Sequence, residues 1–488
     1  MKKRLVRALL LCWAALAFVN GAWAEEANAL KGLTVSEAQA EVSFTCGEPA
    51  RLIVGVYNGD TGAMTASGGV TVQPGQKTAA VPLSGPLPEN FTASAFLTGA
   101  ETARPLCEKY TVDSRPPKGS SVYAALFDGG ELEFYSADSA SQLDLGGRTP
   151  KQVQEVTPWW QAPTEITRVT FVDRIQPESA RRWFYECGQL REVRQIENLD
   201  TSRTTNLSGM FWGCGALAEL NVSGFDTRNV TDMSLMFTNC ASLTELDVSH
   251  FDTRNVTDLR SMFLGCGGLT ALDVSGFETR NVTDMSGMFS GCGSLTRVDG
   301  LDLETGNVRN LYQMFYECAS LTELDLSGFD TRNVTNMGMM FYGCAGLTEL
   351  DLKNFDTRNV TNMRTMFFGC LRLESLNVSS FDTGKVKDMA YMFASTSVKT
   401  LDLSGFDTAA VTNMSRMFAG CSRLRTIYAS ERFVCPDNAK EMFLDCLSLM
   451  GDISSHYQNM PASNRSQSLY AHLDGGVNNP GYFTRKRS

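Results

Sequence analysis

Histidine is almost missing from this chain: three in 488 residues, His250, His456 and His472, with no two at the spacing of a metal pair. Imidazole is the usual acid–base group near neutral pH and a common zinc ligand, so His-based catalysis and zinc ligation have little to work with. Positive charge is also short. Against 54 Asp and Glu stand 43 Lys and Arg, a formal net charge of −11. Such a chain lacks the basic stripe that a phosphate backbone requires, and nucleic acid drops out as a partner. Beyond residue 24 no stretch approaches about 18 uninterrupted apolar residues, so no later segment is read as a membrane span. G-x-S-x-G and H-E-x-x-H do not occur, and no Cys and His stand as a nucleophile pair. A secreted enzyme of unrecognised type is left as a remote alternative.

What is present begins with an export signal. Lys2, Lys3, Arg4 and Arg7 form a basic start, Leu9–Val19 an apolar run, and Ala22-Trp23-Ala24 a small-residue cleavage site. Residues 1–24 are therefore expected to be removed and the protein to be secreted, extracellular or associated with a cell surface. Cys12 is not read as a lipid-attachment site, because Leu11 precedes it where a small residue is needed. Loss of the four cations takes the formal charge to −15. No LPxTG-like sorting motif is seen, which leaves surface retention open.

Fourteen Cys in an exported chain raise the choice between a disulfide framework and metal sites. Their spacing points elsewhere. Met-Phe occurs ten times, beginning at Met210, Met236, Met262, Met288, Met314, Met340, Met366, Met392, Met417 and Met442, with Trp183-Phe184 as a degenerate eleventh. Three residues after each Phe stands a Cys: Cys187, Cys214, Cys240, Cys266, Cys292, Cys318, Cys344, Cys370, Cys421 and Cys446, with Thr396 as the exception. Ten of the 14 are one structural position repeated at a step of 26 residues almost throughout, which is neither C-x-x-C nor a zinc signature. Periodicity of this length marks a stacked array.

In the unit from Leu321 to Cys344, Leu324 and Leu326 alternate with Glu323, Asp325 and Ser327 at period two, a short half-buried strand. Gly328 breaks it, and Phe329–Asn333 forms a turn of residues that hydrogen-bond their own backbone. Val334, Met337, Met340, Phe341 and Cys344 then fall at helical offsets, with Thr335 as N-cap and Gly343 as terminator, predicting a short helix. One unit buries too little apolar surface to offset its own ordering entropy, so neighbours must stack. Strands about 4.8 Å apart and helices about 8–10 Å apart predict a curved stack with the strands on its concave face.

The recurring pattern L-x-x-L-D-[LV]-S-x-F-D-T-x-N-V-T-x-M-x-x-M-F-x-x-C resembles the bacterial BspA-like leucine-rich-repeat surface proteins. The resemblance covers residues 124–484, including the closing segment from Tyr470 to Thr484. It implies an α/β leucine-rich-repeat solenoid of strand–turn–short-helix repeats in a curved right-handed coil. It also implies export or surface display and adhesion to host proteins, other bacteria or matrix, and it brings no catalytic residues.

Several columns repeat with the array. The ladder cysteines, Cys214, Cys240, Cys266, Cys292, Cys318, Cys344, Cys370 and Cys421 among them, are expected to be buried free thiols, since helix spacing would hold them too far apart to bridge. Outward strand positions carry Asp247, Asp273, Asp299, Asp325, Asp351 and Asp402, with Asn221 and Asn377 in the same file. Like charges one strand apart repel. The column reads as a solvated face that resists aggregation, an acidic strip for a basic ligand, or a place for Ca²⁺ between turns; no other cofactor is implied. In the loops, Asp226, Asp252, Asp330 and Asp356 are expected to pair with Arg228, Arg254, Arg332 and Arg358. Asn229, Asn255, Asn281, Asn307, Asn333 and Asn359 are expected to cap backbone groups inside the turns, and the repeat explains their N-x-[ST] sequons without glycosylation.

Residues 25–115 read differently. Arg51–Tyr57, Val70–Val72, Thr78–Val81 and Phe91–Phe96 are strand-like runs among Gly, Pro, Asn and Asp, a small all-β, Ig-like sandwich with Cys46 and Cys107 as a candidate disulfide. Residues 116–182 are assigned to a linker and N-terminal cap, in which Ile166–Val172 covers the first turn and Trp159-Trp160 is read as packing within the cap, with a sugar-stacking pair as the alternative. The array, about 11 repeats, occupies 183–450, and 451–488 forms the C-terminal cap, with Cys435 unassigned. The expected function is non-enzymatic binding of a host or bacterial surface or matrix protein or glycan. Glu245, Asp247, Asp273, Glu323, Asp325, Glu349, Asp351 and Asp402 are the candidate face. The rival is a structural spacer or surface-layer component with adhesion carried by the N-terminal domain.

Overall fold

The computed structural model describes residues 28–35, 39–46, 50–58, 64–73, 76, 78–84, 91–99, 110–113, 121–138, 143, 145, 151–152, 163–451, 457, 470–473 and 481–486. The export signal, Trp159-Trp160 and Cys107 lie outside these residues, as does the side chain of Cys46, and with them the Cys46–Cys107 pairing.

The chain divides into two compact units between Pro116 and Pro117. In the first, β1 (Asn28–Val35), β2 (Gln39–Cys46) and β5 (Thr78–Pro82) form one antiparallel sheet. A second antiparallel sheet has the order β4 (Met64–Val72), β3 (Ala50–Asn58), β6 (Phe91–Gly99), β7 (Tyr110–Asp113). Alternate residues from both, Val42 and Val81 from one and Leu52, Val54, Val56 and Ala95 from the other, share a single buried cluster.

The second unit opens with a hairpin of β8 (Ser121–Phe127) and β9 (Glu131–Ala137). Its turn contains Gly129 and Gly130, both left-handed at φ 85 and 82; a Cβ on Gly130 would lie 1.9 Å from the Glu165 carbonyl oxygen. The short β10 (Lys151–Gln152) pairs outside β8. Beyond β9 the sheet changes sense. β11 (Arg168–Phe171) pairs parallel with β9 and with β12 (Glu192–Arg194), so the strand read over Ile166–Val172 converts an antiparallel cap into the parallel ladder of the repeats.

From there the chain winds at a 26-residue register. Short parallel pairs join β13 (Ala271–Asp273) to β14 (Arg297–Asp299), and β15 (Glu349–Asp351) to β16 (Ser375–Asn377). The last group joins β17 (Thr400–Leu403), β18 (Thr426–Ala429) and β19 (Phe483–Arg485). Within each strand the pattern is that of a half-buried face: Leu350 is buried while Glu349 and Asp351 are exposed.

The segment expected to be a short helix is not one. No α-helix occurs among the described residues. Met340, Tyr342 and Cys344 bond back to the carbonyls of Met337, Met339 and Phe341, three residues earlier, but the intervening amides point sideways: Met337 to Asn362, Met339 to Arg364, Phe341 to Met366 and Gly343 to Phe368. A helix spends every amide on itself; here every second one joins the next turn of the array. The chain alternates in this way by placing two left-handed residues in each run, Met339 (φ 57) and Gly343 (φ 70) in this one. Thr335 accordingly caps no helix, and its amide and hydroxyl both donate to the Arg309 carbonyl, at 2.9 and 3.1 Å.

The physical reason is commensurability. Helices about 8–10 Å apart cannot stay in step with strands about 4.8 Å apart over many turns, whereas a run of bonded turns has the strand's own spacing. The flank expected to hold widely spaced helices is therefore a continuous backbone ladder, while the strand flank pairs only in the short groups β11–β12, β13–β14, β15–β16 and β17–β18–β19. Between them the Met-Phe phenylalanines stack: neighbouring rings from Phe211 to Phe443, Phe289–Phe315 (5.4 Å) and Phe315–Phe341 (5.9 Å) among them, lie nearly parallel. Both ends of the column are closed by aromatics: Phe134, Phe171 and Trp183 against Phe184, and Tyr482 and Phe483 against Phe443.

Candidate functional site

Of the candidate face, Asp273, Glu349, Asp351 and Asp402 lie in β13, β15 and β17, whereas Glu245, Asp247, Glu323 and Asp325 lie at the equivalent places of repeats that form no strand there. Glu245, Asp247, Glu323, Asp325, Glu349 and Asp351 are exposed, Asp273 and Asp402 half-exposed. Parallel pairing sets Asp273 opposite Asp299 and Asp351 opposite Asn377, so strand pairing aligns the predicted file at these two places. Its aspartates hold the chain. In five of them Oδ1 accepts the amide two residues on: Ser249 to Asp247 (3.1 Å), Ser275 to Asp273 (2.9 Å), Ser327 to Asp325 (2.9 Å), Lys353 to Asp351 (3.1 Å) and Ser404 to Asp402 (3.1 Å). These are Asx turns, the local bond that lets a short polar side chain end a strand.

The repulsion expected between successive carboxylates is relieved by these bonds and by local cations. The Ser327 hydrogen bonds hold Asp325 below the usual carboxylate range, and Lys353 does the same for Asp351, which also accepts from Asn377 Nδ2 at 2.8 Å. For Asp402, partial burial raises the carboxyl, and the hydrogen bonds of Lys486 and Ser404 outweigh it. Among the described residues no three His, Cys, Asp or Glu side chains converge as a ligand set for a metal. Glu245, Glu323 and Glu349 differ from the aspartates: they stand two residues before Asp247, Asp325 and Asp351 and make no ion pair or side-chain hydrogen bond. They are the part of the strip open to a partner.

The loop columns stiffen this face. Arg228, Arg254, Arg332 and Arg358 each reach the expected aspartate, Asp226, Asp252, Asp330 and Asp356, with Nε 2.8 Å from Oδ1. Hydrogen bonding by Arg332 and Arg358 holds Asp330 and Asp356 low. The asparagines work between turns rather than inside them: Asn255 Nδ2 donates to the Arg228 carbonyl and Asn333 Nδ2 to that of Gly306, both at 2.7 Å.

Two further ladders lie beyond what the sequence reading singled out. Buried Thr253, Thr279, Thr305 and Thr331 donate to the carbonyls of Glu278, Glu304, Asp330 and Asp356 one turn ahead, and their signal was the Thr that follows Phe-Asp, Phe-Glu or Leu-Glu in these repeats. An aromatic stripe on the turn side stacks Tyr316, Tyr342 and Phe368 at 4.7 and 4.9 Å, visible in sequence only as the residue after each Met-Phe.

The ladder cysteines are buried free thiols, Cys214, Cys240, Cys266, Cys292, Cys318, Cys344, Cys370 and Cys421 included. The expected reason, helix spacing, does not apply. Each thiol is instead engaged: Cys240 Sγ donates to the Phe211 carbonyl at 3.1 Å and Cys344 Sγ to that of Phe315 at 3.0 Å. Burial pushes Cys266, Cys318 and Cys370 up to about 12. Thr396 replaces the thiol with a hydroxyl that bonds the Phe393 carbonyl of its own turn at 2.9 Å.

A family model described as Mycoplasma protein of unknown function, DUF285, matches residues 178–300, 269–350 and 344–457. No curated protein and no solved structure matches the chain.

Proposed function

The chain belongs to the family described as Mycoplasma protein of unknown function, DUF285, and on that premise we propose that it is an exported leucine-rich-repeat protein that acts by binding, without catalysis. Its partner is a surface or matrix protein, or a glycan, carrying positive charge, and the outcome is adhesion. The first unit is an Ig-like sandwich.

The observation that supports this reading is the division of labour along the strand file. Aspartates that could have repelled one another hold local turns, while Glu245, Glu323 and Glu349 stay exposed and unpaired at the same place of their repeats. A preorganised row of like charges loses little entropy on meeting a basic partner and speeds its approach. The two self-contained units keep the spacer reading as its rival.

Capture of matrix and epithelial surface proteins by the mature chain, and by residues 25–115 and 116–488 separately, decides between them. Retention of the captured partner by 116–488 alone is the expected result. Retention by 25–115 alone would give adhesion to the first unit and make the repeats a spacer.

A further inference from the structure

At Thr396 the array has a flaw that affects several columns together. After Thr396, the only non-Cys in its column, Val398 takes the place that Leu347, Leu373 and Leu424 hold three residues after their cysteines, so one residue is missing and the step to Cys421 is 25. On the preceding turn the two positions after Cys370, occupied by Gly, Ala or Ser in the five units from Cys214 to Cys318, are Leu371 and Arg372. Leu371 is 59% exposed, the most exposed large apolar side chain among the described residues.

A recess of about 430 Å³ opens at this place, lined by Thr348, Glu349, Leu371, Arg372, Glu374 and Ser375, with Arg423 from two turns on. Arg423 spans the shortened turn to reach Glu374 at 2.6 Å, and Lys399 takes the other carboxylate oxygen at 2.8 Å. Those two bonds hold Glu374 below the usual carboxylate range and neutralise it. Arg372 makes no ion pair or side-chain hydrogen bond, and its guanidinium stands at the recess with Leu371 beside it.

We propose that this recess is a ligand site for an acidic peptide segment, in which one carboxylate is taken by Arg372 and a neighbouring apolar side chain rests on Leu371. A planar guanidinium binds a carboxylate through two parallel hydrogen bonds. Arg423, already shared with Glu374, adds charge but not a free fork. Thr348 and Ser375 line the same recess and serve the peptide backbone. Glu349, on the strand side, repels a second carboxylate, so the site selects a single acidic residue next to an apolar one. A sugar is disfavoured because the lining has no aromatic ring on which a sugar face would stack.

This inference rests on the reading that the array works by binding, and it names a ligand class for one place at the border of the acidic file. The mature chain is titrated with fluorescein-labelled Gly-Leu-Glu-Gly amide and with its Gly-Leu-Gln-Gly counterpart, following anisotropy and the Leu371 methyl resonances. The glutamate peptide is expected to bind and to shift those methyls, and the glutamine peptide to bind at least about ten-fold more weakly, the worth of a charge-assisted pair. Arg372→Gln, at an exposed position, abolishes the difference without changing the melting temperature. Equal binding of the two peptides, binding of neither, or binding unchanged by R372Q overturns the site. Matrix capture that persists in R372Q would leave the binding function standing while this site falls, so the two failures are distinguishable.

Discussion

Cys344 Sγ donates to the Phe315 carbonyl oxygen at 3.0 Å, and the same oxygen accepts the backbone amide of Cys318 at 3.2 Å. One carbonyl thus closes its own turn and receives the thiol of the next. The relationship recurs with Cys318 on Phe289 and Cys370 on Phe341, so the cysteine column is a structural ladder of donors.

Cys344→Ala removes that donor and leaves a small void, and it is expected to cost about 1–2 kcal/mol. Cys344→Thr copies the residue at position 396 and should cost less. Urea unfolding of the three proteins checks this, and an alanine variant as stable as the parent would remove the ladder from the account.

Alkaline pH should unfold the array steeply. The buried thiols are raised above their ordinary value near 9, to about 12 for Cys318, so the fold holds the protonated form. Their contribution is complete below pH 9 and is lost as pH rises toward 12. Each thiol that ionises only on unfolding adds about 1.4 kcal/mol per pH unit to the slope. Variants with successive ladder cysteines replaced by threonine should flatten the curve in proportion. In parallel, thiol reagent at pH 8 should leave the native ladder unmodified and label it once denatured.

Thr365 occupies one of the left-handed positions (φ 51), where a β-branched side chain is strained, and its hydroxyl is buried without a hydrogen-bond partner. Gly209 and Gly287 fill the same column at φ 61 and 62. Thr365→Gly is expected to stabilise by about 1–2 kcal/mol, read as a higher melting temperature. A lower one would contradict the backbone geometry of the turn run.

Asn333 Nδ2 donates to the Gly306 carbonyl. Asn333→Asp turns that donor into an acceptor facing an acceptor and should cost more than Asn333→Ala, about 1–3 kcal/mol against about 1 kcal/mol. The excess should shrink at pH 3, where the carboxyl regains a proton to donate. Equal costs at both pH values would mean the bond contributes nothing.

Much of this was legible in the chain. The Met-Phe and Cys spacings gave the period. The alternation at Leu324 and Leu326 predicted a strand, but these residues pair with neither neighbouring turn, and strands of the array form at other repeats such as β13–β14 and β15–β16. The helix was misread because offsets that place Val334, Met337, Met340, Phe341 and Cys344 on one face suit a helix and a run of turns equally. What separates them is where the amides of Met339 and Phe341 go, a relation between residues about one repeat apart that no local window contains. Met339 and Thr365 are left-handed without the glycine that would have announced it. The step of 25 after Thr396 was visible, but the recess it opens depends on Arg423 reaching across a turn to Glu374.

The central claim is that the array binds through the unpaired glutamates of its strand file. Surface plasmon resonance of a captured matrix partner on the mature chain, compared with the triple variant Glu245→Lys, Glu323→Lys and Glu349→Lys, tests it most directly. The account predicts an affinity loss of about ten-fold or more, carried largely by a slower association that depends on salt, with the melting temperature unchanged. Unaltered binding by a folded triple variant would contradict it.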